Sequence, residues 1–334
     1  MAAIGATSPT LLDVAKRLGP DGKELSLAEL LSQTNPILED MPFVEGNLPS
    51  GHRVGIRTGL PTAYWRLVNQ GVQPSKSTST LVDEQTGMLE AWSSVDKDAA
   101  EFGGNVNGFR MSEAKAFIES MNQEMAQTVF YGNSSASPEE FNGLAIRYSA
   151  ISGATNAQNI ITGSGAGSDN SSIYLVGWRP ETVFGVYPKG SKAGLVHDDF
   201  GCIPESNAGG TSGANMLVYK ERFQWKCGLV VKDWRYIVRI PNIDISNLVA
   251  KSSAADLIEL MIKATHRIPN MGMCKPVIYM NRSCFQMLDI QRRDDVISGG
   301  QLSYETVDGK RVASFRGIKI AVTDALTETE ATVS

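Results

Sequence analysis

The chain has 334 residues, of which 42% are hydrophobic and 20% charged, an ordinary globular composition. A chain of this length buries roughly 75% of its unfolded surface, so it needs no disulfide or metal staple, and its length suggests about two domains or one large domain with insertions. Its 31 basic and 36 acidic residues leave a net charge of -5 with no dense Lys/Arg block, which argues against a dedicated nucleic-acid binder.

Ser8-Pro9 can open a helix carrying Leu11, Leu12, Val14 and Leu18, stopped at Gly19-Pro20-Asp21-Gly22. Ser26 and Glu29 form a capping box before a second apolar face of Leu27, Leu30 and Leu31, ended by Pro36. The stretch "NPILEDMPFVEGNLPSG" has no period, so its apolar residues need a partner surface from elsewhere in the fold or from another subunit. Residues 52–94 read as strands. "HRVGIRT" places Val54 and Ile56 on one face, "AYWRLVNQG" predicts an amphipathic strand into an Asn-Gln-Gly turn, and "VQPSKSTSTLVDE" returns. This long hairpin has too little apolar content on its second limb to bury itself, so it projects.

Ser112 to Tyr131 is the clearest helix, with Ser112 as N-cap, Glu113 in the first turn, and Ala114, Phe117, Ile118, Met121, Met125 and Val129 in one stripe. Gly132 and Asn133 suit its stop because both tolerate left-handed backbone; Phe141 and Leu144 would return the chain to the core. Residues 145–250 are strand-rich with Gly loops. In "QWKCGLVVKDWRYIVRI", Trp225, Cys227, Leu229 and Val231 share one parity and Trp234, Tyr236, Val238 and Ile240 the other, which predicts a bulge or corner at Lys232-Asp233. Then come an amphipathic helix over 254–268, a buried strand "PVIYMN", a third helix "RSCFQMLDIQRR", a hairpin turning at Asp308-Gly309, and a last strand "IKIAVTDAL".

The sequence offers little chemistry. "TGSGAGSDNSS" lacks the Lys of a P-loop, has Ser168 where a dinucleotide fingerprint wants its last Gly, and is followed by a strand-like run, so it reads as a flexible surface loop. Lys189 and Lys192 in "YPKGSKAG" read as a solvated turn. His197, Asp198 and Asp199 are the best metal candidates, but adjacent strand residues alternate faces and do not converge on one ion. His52 and His266 are isolated, the carboxylate pairs Glu139-Glu140 and Asp294-Asp295 sit in polar surroundings, and no G-x-S-x-G elbow occurs. Cys202, Cys227, Cys274 and Cys284 form no C-x-x-C pair and read as free thiols of a reducing compartment. No basic region followed by an apolar run opens the chain, and no stretch of about 18 apolar residues occurs, so neither secretion nor a membrane span is expected. The expectation is no catalytic, cofactor or metal residue, with an enzyme site near His197–Asp199 as the alternative.

"NPILEDMPFVEGN", "RTGLPTAYWRLVNQGV", "GMLEAWSSVDKDAAEF", "FYGNSSASPEEFNGLAIRY", "YPKGSKAGL" and "WRYIVRIPNID" resemble the major capsid proteins of tailed bacteriophages, in particular of podoviruses of the epsilon-fifteen type. The resemblance spans residues 35–325 and agrees with the order of parts: arm, projecting hairpin, long helix, strand-rich lobe, closing hairpin. It implies an α+β chain with the Hong Kong 97 capsid fold: an N-terminal arm over 1–51, an E-loop over 52–84, a P-domain over 85–144 with its spine helix at 112–131, an A-domain over 145–295, and returning P-domain strands with a tail over 296–334. The function it implies is self-assembly, as hexamers and pentamers, into an icosahedral shell around double-stranded DNA. Partners would be copies of itself and portal, scaffolding and decoration proteins, with DNA nearby but not specifically bound and no membrane. The place is the virion capsid, made in the bacterial host cytoplasm. Trp65, Arg66, Lys76 and Glu84 are the expected inter-subunit contacts, Trp65 because the hairpin offers it no core and Trp is enriched at interfaces. Some members of the fold crosslink Lys to Asn between subunits. Lys76 lies on the hairpin, but its Ser/Thr neighbours give no sign of reactivity, so non-covalent assembly is expected.

Overall fold

A computed structural model describes residues 8, 9, 13, 31–102, 104–206, 212–294, 302–307 and 310–334. The two N-terminal helices and the Asp308-Gly309 turn expected from the sequence lie outside the described residues.

Thirteen strands are described: β1 (Phe43–Glu45), β2 (Gly51–Gly59), β3 (Thr78–Gln85), β4 (Gly87–Asp96), β5 (Asn170–Trp178), β6 (Val183–Tyr187), β7 (Leu195–Ser206), β8 (Asn215–Val231), β9 (Ile237–Asp244), β10 (Lys275–Met280), β11 (Leu302–Val307), β12 (Lys310–Phe315) and β13 (Ile318–Val322). Eleven form one sheet, running β11-β12-β13-β10-β5-β6-β8-β4, with β1 on β6, β7 on β8 and β9 on β5. Among the described strands, β2 and β3 pair with each other and with no other strand. Every residue of β5 and β9 is buried, which is why "SSIYLVGW" and "YIVRIPNID" show apolar runs. Tyr174, Val176, Val238 and Ile278 share their core with Leu257, Leu260 and Met261 of the helix Leu257–Thr265 and with Cys284 and Leu288 of the helix Arg282–Asp294. The corner expected at Lys232-Asp233 is present: β8 ends at Val231, one helical turn spans Trp234–Tyr236, and β9 begins.

The long helix runs from Val106 to Tyr131, 26 residues or about 39 Å. It starts six residues before the expected Ser112. Asn105 is the cap, its Oδ1 accepting from the Gly108 N–H at 3.0 Å, while Gly104 at φ 71° breaks the preceding helix. The expected stripe is buried only in its C-terminal half, at Met121, Met125 and Val129, joined by Ala126 and Phe130; Ile118 remains 42% exposed. Phe130 meets Tyr174 and Tyr279 at ring-centroid distances of 5.4 and 6.0 Å, which seats the helix end on β5 and β10. The helix stop needs glycine for a different reason from the one expected. Gly132 has φ −50°, which any residue tolerates, but a Cβ there would lie 2.4 Å from the Phe141 carbonyl oxygen and 2.6 Å from that of Thr128. The loop after it closes on itself, with Gly143 N–H donating to Gly132 at 2.8 Å, and buries Phe141 and Leu144.

The aperiodic segment finds its partner surface within the same chain. Ile37 and Met41 are buried in the main core, and β1 pairs in parallel with β6. Asp40 is fixed there by Lys319 Nζ at 2.9 Å, Lys275 Nζ at 3.0 Å and the Tyr279 hydroxyl at 3.3 Å.

The β2–β3 hairpin rests on the body through Val54, which packs with Phe184, Val186 and Val230. Beyond Gly59 pairing stops, so the amphipathic strand expected over "AYWRLVNQG" is absent, and residues 60–77 carry no regular structure until β3 begins at Thr78. Pro61 and Pro74 flank this tip and remove backbone donors, which ends the ladder. One turn, Gln70 N–H to the Leu67 carbonyl at 3.2 Å with Asn69 at φ 67°, reverses the chain. Glu84, expected at an inter-subunit contact, is instead buried within the chain. Arg147 grips its two carboxylate oxygens at 2.6 and 2.7 Å and also donates to the carbonyls of Asn142 and Leu229. The charge at the hairpin root thus pins it to the body.

Two outcomes are expected from urea unfolding. Gly132→Ala should lower stability by about 1–3 kcal/mol, because the methyl group has no room between two carbonyls. Glu84→Ala should cost about 3–5 kcal/mol, because it strands the half-buried Arg147 charge, and hydrogen exchange should rise selectively in β2 and β3.

Candidate functional site

Of the expected contact residues, the structure places Trp65, Arg66 and Lys76 on the hairpin tip and Glu84 in the ion pair at its root. Trp65 is fully exposed, and Leu60, Tyr64, Leu67, Val68 and Val72 around it are exposed too. Arg66 Nε donates to the Gln70 carbonyl at 2.7 Å and Ser75 Oγ to that of Thr62 at 2.8 Å, so the tip is shaped by its own hydrogen bonds. An apolar cluster with a Trp, a Tyr and an Arg, held away from the core, has the chemistry of a protein-binding hot spot.

The His197–Asp199 stretch lies on β7, against β8, and its residues split between faces as the strand period requires. Asp198 pairs with Arg222 at 2.6 Å on one face. On the other, His197 Nε2 lies 3.1 Å from Glu221 and its ring stacks on Phe223, while Asp199 and Glu221 share the Arg110 guanidinium at 2.7 and 2.5 Å. The Arg110 hydrogen bond holds the Asp199 carboxyl below the usual range. Two arginines thus pair with all three carboxylates, and Arg110 clamps the long helix onto β7 and β8; among the described residues no group of three or more His, Cys, Asp or Glu could hold a metal ion.

The Gly-rich loop is packed rather than free at the surface: Gly163 and Gly165 donate to the carbonyls of Pro241 and Asn242, each at 2.8 Å, and a Cβ on either would meet Asn242 O within 2.7 Å. Lys189 and Lys192 are exposed beside the Pro188–Ser191 turn. His52, at the hairpin root, sits edge-on to Phe184 at 5.5 Å; burial, then the nearby Lys232 charge, lowers its pKa.

A second surface escaped the sequence reading. On the outer face of β4, β8 and β7, Trp92 stacks on Phe200 at 5.5 Å, with Lys220 and Arg222 over its ring at 5.4 and 5.8 Å. The alternation of Met88, Glu90 and Trp92 along β4 was the available signal.

A family model described as Major capsid protein GP7 matches residues 19–334. No curated protein matches the chain. A chain from the structure of bacteriophage Epsilon15, derived from cryo-electron microscopy and modelling, is 33% identical, with 100% of this chain and 99% of that one covered and a TM-score of 0.77. More distant similarity reaches the bacteriophage JBD30 capsid, at 8% identity and a TM-score of 0.48 over 89% of this chain and 92% of that one. Microbacterium phage Oxtober96 matches at 13% identity and a TM-score of 0.44 over 69% and 98%. With its mixed helices and strands, its projecting hairpin and its long helix, the chain belongs to the phage major capsid protein family, has the Hong Kong 97-type fold, and forms the capsid shell.

Proposed function

We propose that the chain closes an icosahedral shell of hexamers and pentamers around packaged double-stranded DNA, and that the hairpin tip is its principal grip on a neighbouring copy. One observation supports the reading above others: residues 60–77 are all exposed, yet include Leu60, Tyr64, Trp65, Leu67 and Val68. A lone chain gains nothing by holding such a surface in water; a neighbour that covers it recovers the hydrophobic energy. In family terms, 1–51 is the arm, 52–84 the E-loop, 85–144 the P-domain with its spine helix extended back to Val106, 145–295 the A-domain, and 296–334 the returning strands and tail. Trp65 fills a pocket on the neighbour, while Arg66 and Lys76 bond at the rim without covalent crosslinking. The net charge of -5 suits a wall that does not cling to the DNA it encloses. Portal, scaffolding and decoration proteins complete the particle, which is built in the host cytoplasm.

Electron microscopy and sedimentation of the purified chain should show capsomers or closed shells; stable monomers alone would sink the reading. The double change Trp65→Ala, Arg66→Ala should leave the unfolding free energy of the unassembled chain within about 0.5 kcal/mol, as surface changes do, while cutting shell yield at least tenfold. Denaturing gels of assembled particles should show monomers and no ladder.

A further inference from the structure

Residues 328–334 cross the surface of the body in a pattern unlike that of a packed element. Glu330 and Val333 are buried, and the other five are exposed. Two buried side chains peg this segment down, the exposed Glu328 and Thr332 add hydrogen bonds from Asn281 and Asn170 at 3.2 and 3.3 Å, and the groove that receives them is built by distant parts of the chain. Glu330 N–H donates to the Asn170 carbonyl at 2.9 Å, a single antiparallel bridge to the start of β5. The Glu330 carboxylate accepts from Arg239 Nη2 at 2.7 Å, from the Tyr131 hydroxyl at 2.5 Å and from Ser172 Oγ. Asn242, held at φ 61°, reads the backbone of Val333 with both ends of its amide, each bond 2.8 Å. The Ser334 carbonyl accepts from Ile151 N–H at 3.1 Å.

This combines the two readouts of an extended-peptide site: main-chain hydrogen bonds that fix the strand, and pockets for alternate anchors that fix its sequence. The groove is specific, because Arg239 is buried and only an acid at the place of Glu330 neutralises it. One copy of the segment can be exchanged for another without moving the main apolar cluster, whose last member before the segment is Leu326, provided an acid returns to Arg239. The same contacts form whichever copy supplies the segment, and exchange of an identical element is a low-cost route to association.

We propose that this groove is a peptide-binding site that takes residues 328–334 of a second copy of the chain as well as its own. The seven residues reach at most about 25 Å, so the second copy must be an immediate neighbour.

The test uses the full, unassembled chain with a protease recognition sequence inserted between Thr327 and Glu328, cut after folding. The cut segment should stay bound through gel filtration and exchange with a labelled synthetic peptide of residues 328–334. The same peptide carrying Glu330→Ala should bind at least 100-fold more weakly. Loss of the segment with no change in melting temperature, failure of the labelled peptide to enter, or equal binding of the Ala peptide would each overturn the site. Exchange between copies is tested by coexpressing an Arg239→Ala chain with a Glu330→Ala chain. Each alone strands one buried charge. A swapped pair holds one intact contact and one lacking both charges, so soluble yield should rise at least tenfold over the sum of the two expressed singly. A yield equal to that sum would overturn the exchange.

Discussion

The Arg239–Glu330 ion pair is the constraint on which the other parts depend. Both side chains are 5% exposed, so neither charge has water to fall back on. Burial acts to lower the Arg239 pKa, yet the neighbouring Tyr174 and the Glu330 carboxylate outweigh it and hold the group cationic. The remaining guanidinium donors reach the carbonyls of Ala145 and Tyr148 and Ser172 Oγ, and the guanidinium lies 5.5 Å from the Tyr174 ring centroid. Such a site adds little net stability over a well-packed apolar one, but any missing partner is costly. It therefore acts as a condition: the end of the long helix, β5, β9 and the tail must all be in place at once.

That condition extends to the hairpin through one helical turn. Leu144–Arg147 is the segment whose Ala145 carbonyl, with that of the next residue, Tyr148, accepts from Arg239. Its last residue, Arg147, is the one that grips Glu84 at the root of β3. The same turn faces the buried pair on one side and the projecting arm on the other. At the far end of the long helix, Arg110 holds Glu221 and Asp199 and so fixes β7 and β8. The helix thus spans two parts of the large sheet, with a charged clamp on β7 and β8 at one end and an aromatic seat, Phe130 on Tyr174 of β5 and Tyr279 of β10, at the other.

What the sequence disclosed follows from how far apart the interacting residues lie. Periodicity located the long helix, the helix Arg282–Asp294, the buried strand β10 and the closing pair β11–β12, because each is decided by neighbours a few residues away. The projection of the hairpin and the exposure of Trp65 were legible from composition. Glu84 was not: its partner lies 63 residues on, and nothing local separates a buried acid from a solvated one. The Glu330 site was equally hidden, since its Arg is 91 residues away and the tail reads as an ordinary polar end. Ser112 has the chemistry of a cap but lies inside the helix, because the glycine break at Gly104 starts the helix at Asn105 instead. Gly132 was identified as a stop, but the two carbonyls that exclude a Cβ become visible only when Phe141 is brought back against Thr128.

The tip raises a physical difficulty: an exposed apolar strand edge is a template for indiscriminate pairing. The chain avoids it by ending the ladder early. Pro61 and Pro74 deny backbone donors, residues 60–77 form no strand, and Arg66 and Lys76 put like charges on the surface. What remains sticky is a set of side chains, not a backbone edge. Side chains can be satisfied only by a surface of matching shape, whereas a backbone edge accepts almost any strand. A shell subunit must stay soluble alone and bind firmly in one geometry. With the tip as the proposed grip on a neighbour, placing the apolar content on an irregular tip, and anchoring that tip through Glu84 to the same turn that meets Arg239, would meet both demands with one hairpin.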